Sequence, residues 1–146
     1  MTTISKILCP IDFSKHSTRI AEYAETLGAA LGAEVDVVYI APSLSQYESF
    51  QVPAGAIASL VGDIITGAEK SMDSFIQKNF KDIKAKGKVI SGDAAQEILN
   101  YANDQKVDMI IMGTHGRKGI DRMLFGSVAE KVVKTATIPV LTVHPA

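Results

Sequence analysis

The chain has 146 residues and a mass of 15.6 kDa, which is room for one compact domain, expected over residues 1–146, and too little for a second independent core. At 47% hydrophobic and 21% charged, with 11 glycines and 5 prolines, its composition excludes disordered and collagen-like chains. The 15 basic residues against 16 acidic ones leave a net charge of −1, so the basic field that non-specific nucleic-acid binding draws on is missing and no nucleic-acid partner is expected, although a local basic patch stays open.

A single cysteine, Cys9, excludes an intrachain disulfide and an all-cysteine metal cluster. Pro10 and Asp12 stand where a secretory signal would carry its apolar run, and no apolar run approaches the length of a membrane span. A cytoplasmic protein with no membrane partner is therefore expected.

Ile4, Ile7, Leu8 and Ile11 predict a first strand of about five residues, closed by Asp12 and Ser14. Ile20, Tyr23, Ala24, Leu27 and Leu31 then recur at helical spacing, which predicts a helix from Lys15 to Leu31 stopped by Gly32. Val35, Val37, Val38, Tyr39 and Ile40 are rich in β-branched residues and apolar on both faces, as a strand covered on both sides requires, and Pro42 ends it. Ser43 to Gly55 has no clean period and carries Tyr47 and Phe50; it reads as a long loop.

A second helix is expected from Ala56 to Lys84, with Gly62 and Gly67 as possible interruptions. Val89 and Ile90, bounded by Gly87 and Gly92, predict a short third strand, and Asp93 with Gln96 forms a capping-box pattern opening the third helix. Met109 to Met112 is a fourth, central strand. Ser127 with Glu130 makes a second capping box before a helix through Val132, Val133 and Ala136, and Pro139 to Val143 closes the chain as a strand with proline at its first position. The alternation predicts an α/β fold with a five-stranded, doubly wound parallel sheet.

Chemistry concentrates in Gly113-Thr114-His115-Gly116-Arg117-Lys118-Gly119 and in Gly126-Ser127-Val128. Glycines after a buried strand let backbone N–H groups approach phosphate oxygens, and the first N–H groups of a helix opening at Ser127 lack intrahelical acceptors. Arg117 and Lys118 add charge; Thr114 and Ser127 add hydroxyls. The bland alternative is a glycine-rich turn with ordinary helix capping. Neither a Walker A ending nor a dinucleotide fingerprint after the first strand is present.

Gly113, Gly116, Gly126 and Ser127 meet the spaced-glycine signature of the nucleotide-binding branch of the universal stress protein family, and Pro10-Ile11-Asp12-Phe13-Ser14 also resembles that family. The resemblance covers essentially the whole chain, with Ser43 to Gly55 least matched. It implies a Rossmann-like sheet of the adenine nucleotide alpha hydrolase type, ordered 3-2-1-4-5. It further implies that Asp12 contacts ribose, that backbone groups of Ile40 contact adenine with Pro10 beside the base, and that phosphates run over Gly113 to Gly119 and meet Gly126, Ser127 and Val128. ATP or another adenine nucleotide, with Mg²⁺ arriving on the triphosphate, is the implied ligand, and the last strand, Pro139 to Val143, is the implied homodimer contact.

Asp12 also reads as a residue of a helix N-terminal region, His115 as one that meets phosphate or solvent, and Cys9 as a small buried hydrophobe. His16 and His144 have no carboxylate or cysteine cluster at ligand spacing, so no metal ligand is assigned. No serine, histidine and acid arrangement identifies a triad, so no catalytic residue is assigned either. An ATP-binding regulatory or stress-response protein is expected; a nucleotide-independent dimeric interaction protein and a weak ATP hydrolase are the alternatives.

Overall fold

The computed structural model describes residues 1–41, 43, 53–115 and 126–145. Strands β1 (Lys6–Pro10), β2 (Glu34–Ala41), β3 (Ala85–Ser91), β4 (Met109–Gly113) and β5 (Val140–Val143) alternate with helices α1 (Ser17–Leu31), α2 (Ala54–Asn79), α3 (Ala94–Asp104) and α4 (Ser127–Thr135). All four strand pairings are parallel and the order is β3-β2-β1-β4-β5, the order implied by the family resemblance.

Alternation along each strand divides the interior into two layers. Ile7, Cys9, Val35, Val37 and Ile111 meet Ile20, Ala21 and Ala24 of α1 and Met72 of α2 on one face. Leu8, Val38, Ile110 and Met112 meet Ile98 and Tyr101 of α3 and Ala129 and Val132 of α4 on the other. The unbroken apolar run of β4 is thus a strand sandwiched between helices, each fully buried branched side chain contributing about 1.5–3 kcal/mol.

Several boundaries differ from the sequence expectation. β3 runs through Gly87 rather than starting after it: Gly87 pairs with Val37, and a β-carbon there would collide with the Met72 side chain of α2. The glycine marks a close helix approach, not a strand end. α2 stops at Asn79 instead of Lys84, because Phe80 turns extended and the Glu25 carboxylate of α1 accepts the next amides, from Lys81 at 3.0 Å and Asp82 at 3.1 Å. Gly62 and Gly67 do not break α2, which begins at Ala54. α1 begins at Ser17 rather than Lys15, and β5 begins at Val140, with Pro139 just ahead of it donating no amide but accepting from Ile110 N at 3.0 Å.

Asp93 caps α3 as expected, its Oδ2 accepting from Gln96 N at 3.0 Å. Ser127 does not cap α4. Gly126 is the N-cap residue and no side chain caps it, while Glu130 pairs with Lys134 at 2.8 Å instead of reaching back. The helix entry is fixed by backbone: Gly126 N donates to Thr114 O at 2.7 Å.

Among the described residues, no helix is long and apolar enough to cross a membrane.

Candidate functional site

In an open parallel sheet, ligand crevices form beyond the carboxyl ends of the strands where the winding reverses. Here that point lies between β1 and β4, which pair through Ile7↔Met109 and Leu8↔Ile110. The residues following both strands therefore leave the sheet side by side.

After β1, Ile11 N donates to Val38 O at 2.9 Å and the chain then turns. Asp12 is half-buried, its Oδ1 accepting from Ser14 N at 2.9 Å and from Ser17 Oγ at 3.3 Å. The local role expected of a residue before a helix is thus present, and it fixes the carboxylate at the mouth of the crevice. Pro10 is buried and pairs with Val38, where the β1·β2 ladder ends.

Beyond that point β2 continues alone on its β1 side. Strand residues direct their backbone N–H and C=O alternately to the two neighbours. Val38 O faces β1 and Ala41 O accepts from Gly92 N on the β3 side at 3.0 Å, so the N–H and C=O of Ile40 point over the end of β1. Those are the groups an adenine edge needs, one donor and one acceptor.

After β4 the packing is tight. Thr114 is 1% exposed; its N–H donates to Val143 O at 3.1 Å and its carbonyl accepts from Gly126 N. Its Oγ1 lies 2.8 Å from His115 Nδ1 and 3.3 Å from His144 Nδ1. His115, read from the sequence as meeting phosphate or solvent, is buried too. The hydroxyl of Thr114 serves the protein interior, and nothing in the sequence marks it as the junction of β4, β5 and the start of α4. Gly113 and Gly126 are close-approach positions: a β-carbon on Gly113 would lie 2.8 Å from Ile20 Cδ1, and one on Gly126 2.9 Å from Thr114 O. At the start of α4, the N–H groups of Ser127 and Val128 have no intrahelical acceptor and lie at the positive end of the helix dipole. Gly116, Arg117, Lys118 and Gly119 lie outside the described residues, as do Pro42, Tyr47 and Phe50.

Other candidates separate from this crevice. Cys9 is fully buried in β1 and burial pushes its thiol up to about 12, which leaves it protonated and inert. Asp36, unremarked in the sequence although it interrupts the valines of β2, is 1% exposed; Tyr101 Oη donates to its Oδ2 at 2.8 Å and Lys86 Nζ stands 3.9 Å from Oδ1. It pairs with Leu8 and Lys86 near the amino end of its strand, away from the crevice, and serves the packing of α3. A groove of about 790 Å³ at the amino ends of the strands is lined by Lys6, Glu34 and Lys84, whose charges pair with one another at 3.6 Å. Among the described residues no group of three histidine, cysteine or carboxylate side chains could hold a metal ion.

The model of the universal stress protein family matches residues 3–144. Universal stress protein MJ0531 of Methanocaldococcus jannaschii is 32% identical over 140 residues, covering 94% of this chain and 81% of that protein. The solved structure of MJ0577 superposes with a TM-score of 0.84 at 27% identity, covering 99% of each chain. The structure of the universal stress protein from Archaeoglobus fulgidus in complex with dAMP has a TM-score of 0.66 at 18% identity, covering 97% of this chain and 98% of that one, a likeness of fold. With its sheet order, its spaced glycines and a match running from residue 3 to residue 144, the chain belongs to the universal stress protein family.

Proposed function

We propose that this chain is an ATP-binding universal stress protein with a regulatory or stress-response role in the cytoplasm, built as one nucleotide-binding domain over residues 1–146. The observation that carries the reading is the convergence at one switch point of the Asp12 carboxylate, the outward N–H and C=O of Ile40, and the amino end of α4, which Gly126 N ties to Thr114 O after β4. In this reading Asp12 accepts from ribose hydroxyls, Ile40 reads the adenine edge with Pro10 beside the base, and phosphates meet the Gly113 to Gly119 segment, Gly126 and the amides of Ser127 and Val128. The donor set consists of backbone amides rather than carboxylates, which suits phosphate oxygens; Mg²⁺ would arrive on the triphosphate rather than on a protein cage. No residue is assigned as a general base, so any hydrolysis is slow and secondary.

The test is mass spectrometry of ligand released from freshly purified, denatured protein, followed by calorimetric titration with ATP, AMP and GTP. An adenine nucleotide, bound more tightly than GTP and weakened about five- to a hundredfold by Asp12→Ala, is the expected result, that range corresponding to lost polar contacts of about 1–3 kcal/mol. Absence of any adenine nucleotide binding would shift the reading to a nucleotide-independent interaction protein.

We also infer a homodimer through Pro139 to Val143. β5 is an edge strand carrying no charged side chain, and Leu141 and, on the neighbouring α4, Val133 are 36% and 44% exposed, whereas the opposite edge, β3, is guarded by the exposed lysines Lys86 and Lys88. Light scattering across a dilution series should give twice 15.6 kDa; a monomeric mass at micromolar concentration would refute the dimer.

A further inference from the structure

Asp12 and Ile40 are joined by a feature that the nucleotide reading does not use. Phe13, directly after Asp12, has a φ of +61°. A β-carbon makes that left-handed conformation unfavourable, and a bulky side chain persists there only where its surroundings over-determine it. The surroundings are aromatic. The Phe13 ring centroid lies 5.0 Å from that of Tyr39 and 6.1 Å from that of Phe75, the latter pair edge-on at 79°, and Phe75 lies 6.4 Å from Phe80.

Tyr39 immediately precedes Ile40 on β2. Neighbouring strand residues face opposite sides of a sheet, so Tyr39 packs with the α1/α2 layer while Ile40 packs with the α3/α4 layer. One aromatic cluster rooted on α2 therefore grips the residue after Asp12 and the residue before Ile40. The left-handed turn at Phe13 also brings Ser14 N back to donate to Asp12 Oδ1, which fixes the carboxylate. Phe75 itself lines, with Phe13, a separate groove of about 380 Å³ between α1 and α2.

We propose that Phe13, Tyr39 and Phe75 form a positioning element that sets the spacing between the Asp12 carboxylate and the Ile40 backbone. The element thereby governs how the Asp12 carboxylate meets the ribose hydroxyls of a nucleotide whose base lies along Ile40. This rests on the adenine-nucleotide reading and deepens it. Phe75 acts on the ligand through Asp12, from a helix on the far side of the cluster.

The decisive variant is Phe75→Leu, which keeps an apolar branched side chain and removes the ring. Calorimetry with ATP and with 2′,3′-dideoxy-ATP is carried out on the parent, Phe75→Leu, Asp12→Asn and the double variant, with thermal melts alongside. Phe75→Leu is expected to weaken ATP about tenfold and to change 2′,3′-dideoxy-ATP by less than about twofold; in the Asp12→Asn background its effect on ATP should also fall below about twofold, the coupling of residues that act as a unit. A merely structural role would lower the melting temperature equally in both backgrounds and affect both ligands alike. Phe13→Gly, which suits the backbone angle but removes the ring, is the second variant should Phe75→Leu fail to fold, and it is expected to reproduce the ATP-selective loss. Parent-like ATP binding by these variants, an equal loss for both ligands, or full additivity with Asp12→Asn would overturn the positioning role alone. Failure of the parent to bind ATP would overturn the nucleotide reading itself and the positioning role with it, whereas Asp12→Asn binding ATP like the parent would overturn the ribose role of Asp12 and, with it, the positioning role.

Discussion

Adding one methyl group at Gly126 should destabilise the protein more than adding one at Gly113, although both glycines are crowded. The new β-carbon at Gly126 would stand 2.9 Å from the carbonyl oxygen of Thr114, which is backbone. That same oxygen accepts from Gly126 N at 2.7 Å, so relieving the clash separates the two segments and stretches the bond that sets the entry of α4. Losing the bond costs about 1 kcal/mol and overpacking about 1–3 kcal/mol, offset by about 0.4–1 kcal/mol because alanine has less freedom to lose than glycine at an angle both adopt. The net loss is about 2 kcal/mol, or a fall of about 4–8 °C in melting temperature for a chain of this size. At Gly113 the nearest atom is Ile20 Cδ1 at 2.8 Å, the far end of a side chain that can rotate away, and the backbone oxygen of His115 is at a tolerable 3.4 Å. Gly113→Ala should therefore cost about 1 kcal/mol or less. Urea denaturation of the two variants decides the matter. Equal losses, or a Gly126→Ala protein as stable as the parent, would show that the Thr114 to Gly126 contact does not hold the start of α4 against the end of β4.

Tyr101→Phe removes the hydrogen bond to a carboxylate that is 1% exposed and whose other oxygen has no hydrogen-bond donor, a loss expected to reach about 2–3 kcal/mol in urea unfolding. Adding Asp36→Val to that variant should recover stability, since an apolar pair replaces a buried carboxylate left without its hydrogen bond and with only the 3.9 Å approach of Lys86; a double variant weaker than the single one would refute the account. In alkali, Cys9 is raised from 9.0 to about 12 by burial, and Tyr101 is raised by burial and by its bond to Asp36. Both groups hold protons in the folded state that the unfolded chain releases, so their contribution is complete below the unfolded values and declines as pH rises from about 9 for Cys9 and about 10 for Tyr101. Cys9→Ala should flatten the part of the stability profile that begins near 9.0. The native thiol should also resist an aromatic disulfide reagent at pH 8, and rapid stoichiometric labelling would contradict its burial.

Periodicity and composition were sufficient for the succession of strands and helices, because the apolar runs of β2 and β4 and the helical spacing of α1 reflect burial that each residue must satisfy locally. The spaced glycines and the Pro10 to Ser14 segment likewise pointed to the family from residues alone. Where local signals had two meanings, the sequence could not choose. Gly87 read as a strand boundary, yet it sits inside β3 because Met72 descends on it; Ser127 read as a cap, yet Gly126 takes that place because Thr114 O holds its amide.

What the sequence by itself determined is the alternating parallel architecture, the family, and the short segments from which a ligand site would be built. Only the tertiary structure decided how those segments meet: that the Ile40 backbone faces the end of β1 beyond Pro10, that Thr114 and His115 turn inward, that Asp36 rests on Tyr101, and that Phe13 is held left-handed by rings from β2 and α2. The reason is physical. Periodicity records whether a side chain is buried, whereas close approach, backbone angle and the partner of a buried polar group depend on residues tens of positions away, and no local pattern carries that distance.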